Sequence, residues 1–192
     1  MGASLFVLSG PSGVGKDTIL KSFLDQVSDS LNISCSISAT TRKPRENEED
    51  GKDYFFISEE EFHKKKKNDE FLESACVHNN LYGTPKKYVE KSLQNDQNII
   101  LELDIQGAKQ IKDKFPEAVL IFLIPPSLSE LENRLTKRGS EDEKNKAIRL
   151  QNAREELKEK VYFDYQIVND NIKETVEKLK NIILKEISYK EG

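Results

Sequence analysis

The chain has 192 residues, of which 36% are hydrophobic and 33% are charged, and its formal net charge is −4. This balance is typical of one compact domain, and it argues against a disordered chain and against a nucleic-acid partner. No apolar run reaches the about 18 residues that a membrane-spanning helix needs, and residues 1–8 lack the basic leader of a secretion signal. Cys35 and Cys76 have no metal-ligand spacing and are expected to be incidental thiols in a reducing compartment. The sequence therefore predicts a cytoplasmic protein.

Short apolar runs and helical patterns follow one another along the chain. Residues 5–8 form the first run, which predicts a strand buried on both faces, and a glycine-rich loop and a helical pattern come next. Further strands are predicted at 99–103, 119–124 and 166–168, and helices at 85–93, 107–114, 128–137 and 176–187. This alternation predicts an α/β fold of three layers with a central parallel sheet.

Two segments interrupt the alternation. Residues 34–84 contain turn signals, short aromatic strand pieces and a charged helix, which predicts an inserted α+β subdomain. Residues from about 138 to 160 are polar and favour helix, which predicts a helical lid that faces solvent, with bounds at 128–160. Residues 1–33, 85–127 and 161–192 would then form the core of a single domain that spans residues 1–192.

The first loop carries a phosphate-binding motif. Its pattern is G-x-x-x-x-G-K, between a predicted strand and a predicted helix, which is the context that the motif requires. Glycines in such a loop let backbone N–H groups converge on phosphate oxygens, and Lys16 would reach the β- and γ-phosphates. The motif residues are Gly10, Pro11, Ser12, Gly13, Val14, Gly15 and Lys16.

Asp17 departs from this motif, which calls for Ser or Thr at that position to hold Mg²⁺. Thr18 lies one residue further along the chain. Two interpretations stay open. Asp17 could hold Mg²⁺ directly or through a water, or it could only stabilise the first turn of the following helix.

A second motif lies in the inserted segment and resembles the GMP-binding segment of guanylate kinases. It consists of the run Ser38-Ala39-Thr40-Thr41-Arg42-Lys43-Pro44-Arg45, then Glu48 and residues 51–56. Residues 70–73, 82–84 and 103–107 continue the resemblance in the family's order, and so do segments around positions 134, 138, 149 and 169. The resemblance covers nearly the whole chain. It implies an enzyme that uses ATP and Mg²⁺ to convert GMP to GDP, for guanine nucleotide synthesis and salvage.

The resemblance also implies how GMP is bound. Arg42 and Arg45 carry planar guanidinium groups that match phosphate oxygens, and the hydroxyls of Tyr54 and Tyr82 are expected to donate to the same phosphate. Guanine has two donors, N1–H and the 2-amino group, and one acceptor, O6. The carboxylates of Glu73 and Asp104 suit the donors, and the hydroxyls of Ser38 and Thr84 suit O6. Adenine would place an acceptor against a carboxylate, so we expect GMP to be preferred over AMP.

The same resemblance assigns the catalytic and ATP-binding groups. A phosphate nucleophile is already largely ionised at neutral pH and needs no general base, so catalysis would consist of positioning and charge neutralisation. The expected catalytic residues are Lys16, Arg42, Arg138 and Arg149, the latter two moving over the transferred group as the lid closes. Thr18, Arg134 and Asn169 would join residues 10–17 in binding ATP. Glu102 is a second candidate ligand for Mg²⁺ beside Asp17, or an alternative acid for guanine.

Two other functions remain open from the sequence alone. Ribose 1,5-bisphosphate phosphokinase is a relative whose phosphate loop also resembles Gly-Lys-Asp at this point, which Asp17 favours. A guanylate-kinase-like scaffold module would bind peptides without catalysis. The intact Gly10, Gly13, Gly15 and Lys16 argue against the scaffold, and the acids Glu73 and Asp104 argue for guanine.

Overall fold

The computed structural model describes residues 2–27, 30–46, 48–77, 79–137 and 143–191. Along the chain the elements are β1 (Leu5–Ser9), α1 (Lys16–Val27), β2 (Ile33–Cys35), β3 (Ala39–Thr40), β4 (Phe55–Phe56), α2 (Glu59–Lys67), β5 (Phe71–Val77), β6 (Asn80–Pro85), α3 (Lys86–Gln94), β7 (Asn98–Glu102), α4 (Ile105–Lys114), β8 (Val119–Ile124), α5 (Leu128–Lys137), α6 (Glu143–Lys158), a 3-10 helix (Glu159–Tyr162), β9 (Tyr165–Val168) and α7 (Ile172–Glu191). Within these ranges no helix is long and apolar enough to cross a membrane.

Five parallel strands form the central sheet, in the order β2-β7-β1-β8-β9. Successive residues of a strand point to opposite faces, so Phe6 and Leu8 of β1 pack in the hydrophobic cluster that contains residues of α1 and α7. Leu5 and Val7 pack in the other cluster, with residues of α3 and α4. The predicted three-layer α/β fold is therefore confirmed.

A smaller sheet of order β4-β3-β6-β5 lies within the inserted segment. Strands β3 and β4 are parallel, and β6 pairs antiparallel with both β3 and β5. Its core is small, with the rings of Phe62 and Phe71 stacked at 4.7 Å between centroids. Ser58 caps α2 by accepting from the Glu61 N–H at 3.1 Å, which fixes where this charged helix begins.

The chain crosses from one side of β1 to the other between β7 and β8. At such a switch point the connections leave neighbouring strands in opposite directions, and the crevice outside the carboxyl ends of those strands is where ligands bind in open α/β sheets. The glycine loop follows β1 and the segment from Leu103 follows β7, so both open on this crevice. The fold thereby brings together two motifs that lie about ninety residues apart in the sequence.

Candidate functional site

A cavity of about 430 Å³ opens at this crevice, and it is lined by most of the residues that the sequence analysis selected. They come from the glycine loop, the inserted segment, the end of β7 and helix α6. The selected residues that line it are Gly10, Ser12, Gly13, Gly15, Lys16, Asp17, Ser38, Arg42, Arg45, Tyr54, Glu73, Tyr82, Glu102, Asp104 and Arg149.

The glycine loop is tightly packed from behind. A Cβ on Gly10 would lie 2.5 Å from the carbonyl oxygen of Leu123, and one on Gly13 would lie 2.6 Å from Leu135 Cδ2. Both glycines have positive φ, 146° and 85°, which side chains rarely adopt. The loop therefore accepts only glycine at these positions and holds its N–H groups in one arrangement. Lys16 bends back over it and donates to Gly10 O at 2.8 Å.

Helix α6 brings two charged side chains to the same loop. Arg149 donates from Nη2 to Ser12 Oγ at 2.7 Å, and the Ser12 N–H donates to Glu156 Oε2 at 3.3 Å. The helix is held there because Ala153 is buried against Leu131 and Leu135 of α5. A carboxylate oxygen of α6 thus contacts a loop N–H of the kind that binds phosphate oxygens in such motifs.

Arg134 and Asn169 support the loop rather than line the cavity. Asn169 Nδ2 donates to Val14 O at 2.7 Å, and Arg134 donates to the same oxygen at 3.2 Å and to Asn169 O at 3.1 Å. Asn169 is buried, and its Oδ1 accepts from the Thr175 hydroxyl. These bonds fix the loop from outside, while contacts of the two residues with ATP stay a prediction.

In the inserted segment, Glu48 holds Arg42 in a bidentate ion pair. Arg42 donates from its two terminal nitrogens at 2.8 and 2.9 Å, and the Arg45 N–H donates to the same carboxylate at 2.8 Å. The guanidinium also lies 5.4 Å from the ring centre of Tyr54. Burial alone would raise the pKa of Glu48, but the bonds from Arg42 and Arg45 outweigh it and the pKa is lowered. The hydrogen bonds from Arg42 to Glu48 raise the pKa of Arg42, so this cation is permanent.

Two carboxylates, Glu73 and Asp104, lie together at another part of the wall. Glu73 is 3% exposed, and its Oε1 accepts from the Thr84 N–H at 2.9 Å and the Thr84 hydroxyl at 2.7 Å. Asp104 caps α4 by accepting from the Gly107 N–H at 2.9 Å. Burial, with the nearby Asp104 charge, raises the pKa of Glu73 to about 7, and burial also raises the pKa of Asp104. Glu73 uses Oε1 for Thr84, and its Oε2 faces the first turn of α4 beside Asp104.

Asp17 and Glu102 place two further negative charges on the cavity wall. Asp17 lies in the first turn of α1, directly after Lys16, and Glu102 ends β7. Burial raises the pKa of Tyr54, and the charges of Glu102 and Asp17 raise it further. Both carboxylates are therefore close enough to Tyr54 to act on its hydroxyl from the same cavity.

Other selected residues lie around the cavity or outside the described residues. Thr84 lies behind Glu73 and donates to it, so a direct bond from Thr84 to a ligand stays a prediction. Pro11 and Val14 are buried in the loop, and Thr18 is exposed on α1 without lining the cavity. Arg138 falls outside the described residues, and its catalytic role stays a prediction.

The sequence did not identify Glu156 as a cavity residue. It also did not identify Glu48 as the residue that pairs with Arg42. Glu156 follows Arg149 by seven residues, a spacing that puts both side chains on one face of a helix, so the signal was present. Glu48 belongs to the motif that resembles the family, but its ion pair with Arg42 depends on how the fold brings the two side chains together, which has no periodic signature in the sequence.

Comparison with known proteins gives a consistent match over nearly all of the chain. The family model described as guanylate kinase matches residues 2–186. A guanylate kinase from Caldanaerobacter subterraneus subsp. tengcongensis is 49% identical over 95% of this chain and 87% of its own length, and one from Oceanobacillus iheyensis is 48% identical with the same coverage. The crystal structure of guanylate kinase from Anaplasma phagocytophilum superimposes with a TM-score of 0.81 at 35% identity, covering 96% of this chain and 86% of that one.

Proposed function

The chain belongs to the guanylate kinase family and transfers a phosphoryl group from ATP to GMP, and we propose that both nucleotides bind in the cavity at the switch point. The observation that carries this proposal is the lining of that single cavity. It joins the glycine loop and Lys16, which suit a triphosphate, to Arg42, Arg45, Glu73 and Asp104, which suit a guanine monophosphate. Phosphoryl transfer requires both phosphates in one enclosed space.

GMP would be held at two points. Its phosphate would meet Arg42 and Arg45 together with the hydroxyls of Tyr54 and Tyr82, where permanent guanidinium charges match a doubly charged anion. Its base would meet the carboxylates of Glu73 and Asp104, with Ser38 and Thr84 on the side of O6. Because the pair presents only acceptors when ionised, a base with N1–H and a 2-amino group fits and adenine does not.

ATP would be held by the glycine loop, with Lys16 moving from its bond to Gly10 O onto the phosphates. Arg149 already contacts the loop through Ser12 and would stabilise the charge that develops on the transferred group. Arg138, from the same segment, is expected to act beside it. The segments 34–84 and 128–160 would close over the bound nucleotides and exclude water from the reaction.

The residues around Lys16 suit a Mg²⁺ ion brought in with ATP. Mg²⁺ usually takes one or two protein carboxylates together with phosphate oxygens and waters, and Asp17 and Glu102 supply two carboxylates beside the loop. When bound there, the ion neutralises charge on the phosphates. Asp17 next to a triphosphate would otherwise be repelled by ~4 kcal/mol at an effective dielectric constant of ~20 and a separation of ~4 Å.

One assay tests the proposed acceptor. With ATP and Mg²⁺ present, GMP, AMP and ribose 1,5-bisphosphate are offered in turn and ADP release is followed. We expect strong preference for GMP, and Glu73→Gln should weaken it because the new amide can place a donor against a guanine donor. If Glu73→Gln has an unchanged KM for GMP, Glu73 does not contact the base.

A second assay tests the proposed metal ligand. The rate is measured against Mg²⁺ concentration for the parent enzyme, Asp17→Asn and Asp17→Ser. If Asp17 serves the ion, the Asn variant needs more Mg²⁺ and the Ser variant recovers much of the activity through its hydroxyl. Three coincident curves with a change only in thermal stability would mean that Asp17 acts as a helix-terminal charge.

A cytoplasmic location is part of the same proposal. Cys35 and Cys76 are both free thiols in the structure, and burial raises the pKa of Cys35 to about 12. A protein that uses ATP and keeps free thiols suits a reducing compartment.

A further inference from the structure

The strand that carries Glu73 is irregular at that residue. Strand β5 lies at the edge of the smaller sheet, and its pairing with β6 shifts between Phe71, which faces Pro85, and Ser74, which faces Gly83. Two residues of β5, Leu72 and Glu73, therefore lie opposite the single residue Thr84. A bulge of this kind breaks the ladder of backbone hydrogen bonds and re-aims a side chain.

Helix α4 binds the outer edge of β5 on both sides of Glu73. The side-chain amide of Gln110 pairs with the backbone of Ser74, accepting from its N–H at 3.2 Å and donating to its carbonyl at 3.0 Å. Lys114, one turn further along α4, donates to the carbonyl of Leu72. Gln110 thus supplies the bonds that a neighbouring strand would have made, and the bulged segment 72–74 is fixed at both ends.

The same helix carries the second carboxylate. Asp104 is the N-cap of α4, and Gly107, in its first turn, lies directly against Glu73, because a Cβ at this glycine would lie 2.6 Å from Glu73 Oε2. Positions 107, 110 and 114 follow the spacing of one helical face. One rigid element therefore spans from Asp104 to the groups that hold the strand of Glu73.

We propose that Gln110 and Lys114 are positioning residues for guanine specificity, which fix the Glu73 carboxylate at a set distance from Asp104 by clamping the bulge of β5 to α4. The proposal rests on the proposed function, in which these two carboxylates accept from guanine. Neither Gln110 nor Lys114 lines the cavity, so both would act on the base only through Glu73. The positive charge of Lys114 also favours the ionised form of Glu73.

The test compares GMP with IMP, which lacks the 2-amino donor and keeps the rest of the nucleotide. The measured quantity is the ratio of kcat/KM for GMP to kcat/KM for IMP, for the parent enzyme, Gln110→Met, Lys114→Met, Lys114→Arg and Glu73→Gln. A ratio taken within one preparation does not depend on the fraction of folded enzyme. We expect Gln110→Met and Lys114→Met to lower the ratio about tenfold through the KM for GMP, with the KM for ATP unchanged. Lys114→Arg, which keeps a charged donor, should retain it.

Lys112→Met is the matched control. Lys112 lies on the same helix, donates to the Ala118 carbonyl at 2.7 Å and pairs with Asp164 at 3.1 Å, and these partners include neither Glu73 nor Asp104. If it lowers the ratio as much as Lys114→Met, the effect belongs to helix stability and the proposal is wrong. Gln110→Glu, which keeps an acceptor for the Ser74 N–H, gives a milder variant should Gln110→Met yield little folded protein.

The two levels of the proposal fail separately. If Glu73→Gln lowers the ratio while Gln110→Met, Gln110→Glu and Lys114→Met keep it, the positioning role is overturned and the guanine site stands. If Glu73→Gln itself keeps the ratio, Glu73 does not read the 2-amino group, and the base assignment falls together with the inference. A loss in all of these variants, restored in Lys114→Arg, supports both.

Discussion

Arg42 is oriented by the protein before it meets a substrate. Glu48 binds its two terminal nitrogens, and the side chains of both residues are only 15% exposed. The rings of Tyr54 and Phe56 lie 5.4 and 5.8 Å from the guanidinium carbon. A long side chain that is fixed in advance loses less conformational entropy when a phosphate binds, so under the proposed function Glu48 would contribute to GMP affinity through Arg42.

We therefore expect Glu48→Gln to raise the KM for GMP about tenfold, because it weakens a charge-assisted pair worth ~1.5–3 kcal/mol. The KM for ATP should stay within about twofold. Initial rates at varied GMP and varied ATP measure both constants. Glu49→Gln is the control, since Glu49 pairs with Lys52 at the surface and is 67% exposed. An equal rise for both nucleotides would point to a folding defect rather than to the orientation of Arg42.

If Glu73 accepts from guanine as proposed, guanine binding should depend on pH. Burial raises the pKa of Glu73 to about 7, against the bonds from Thr84, and only the ionised form accepts from both guanine donors. Guanosine is the suitable probe, because it lacks the phosphate that titrates near ~6. We expect guanosine affinity to fall about tenfold from pH 8 to pH 6. Calorimetric titration measures this, and Glu73→Gln should bind weakly with a flat profile; a parent profile that is equally flat contradicts the role of Glu73.

The raised pKa of Glu73 should also make the stability of the protein depend on pH. Rising pH is expected to strengthen guanosine binding but to lower the free energy of unfolding. Since the pKa of Glu73 is raised in the folded state, its contribution is fully present below the ordinary value of ~4.3 and is lost as the pH rises through about 7. The ligand-free enzyme should therefore lose unfolding free energy between about pH 4 and about pH 7. Denaturant titrations at several pH values should show that Glu73→Gln lacks part of this loss. If the two proteins have parallel profiles, Glu73 is ionised throughout.

At the scale of elements, helix α6 presents Arg149 and Glu156 to the same residue of the glycine loop. The contact from the Ser12 N–H to Glu156 occupies a donor that a phosphate oxygen would use. The negative charge of Glu156 also opposes the triphosphate. ATP binding would thus require this carboxylate to move away.

Glu156→Gln should bind ATP about fivefold more tightly, since ~1 kcal/mol of competition is removed. The affinity for GMP should not change. Binding of a non-hydrolysable ATP analogue, measured with and without Mg²⁺, reports this directly. Glu155→Gln is the control on the same helix, because Glu155 pairs with Lys158 at the surface. Weaker ATP binding in Glu156→Gln would mean that the carboxylate supports the nucleotide instead of competing with it.

The elements differ in how well the sequence predicts them, and the reason is length and burial. Strand β8 was predicted with its observed bounds, because six apolar residues in a row leave little choice. Helix α7 runs from Ile172, earlier than the predicted 176, because Asn171 accepts from the Lys173 and Glu174 N–H groups and caps it. Strand β2 was missed: it has three residues with Ser34 in the middle, and it forms only because β7 pairs with it.

The residues of the site also differ in how well the sequence predicts them. The glycine loop and the arginine motif were predicted because their residues lie together in sequence, and the structure brings both to one cavity. Glu48 orients Arg42 through an ion pair, while Gln110 and Lys114 bind the bulged strand that carries Glu73. Such contacts depend on tertiary geometry, so no local pattern in the sequence identifies them.

At the scale of the whole molecule, the chain is acidic while its cavity collects cations from distant segments. Lys16 comes from the glycine loop, Arg42 and Arg45 from the inserted segment, and Arg149 from α6, although the net charge is −4. The same lining carries five carboxylates, those of Asp17, Glu73, Glu102, Asp104 and Glu156, so attraction of a phosphate depends on where the cations lie rather than on the net charge of the cavity. Since the cations come from three segments, the full positive charge acts on the reacting phosphates only when those segments surround both nucleotides.

A variant of Arg149 tests whether the cations of the three segments act together, because Arg149 joins α6 to the glycine loop through Ser12. If its main contact forms as charge develops on the transferred group, Arg149→Ala should lower the single-turnover rate about 10²–10³-fold. The dissociation constants of GMP and of an ATP analogue should change by less than about threefold. Rapid mixing at saturating nucleotide, beside equilibrium titrations, separates rate from binding. Arg154→Ala is the matched control, since Arg154 lies on the same helix, is exposed and does not line the cavity, and it should keep the parent rate. A normal rate at saturation with weakened binding would assign Arg149 to nucleotide affinity, and the cations of the three segments would then act separately rather than together in the transition state.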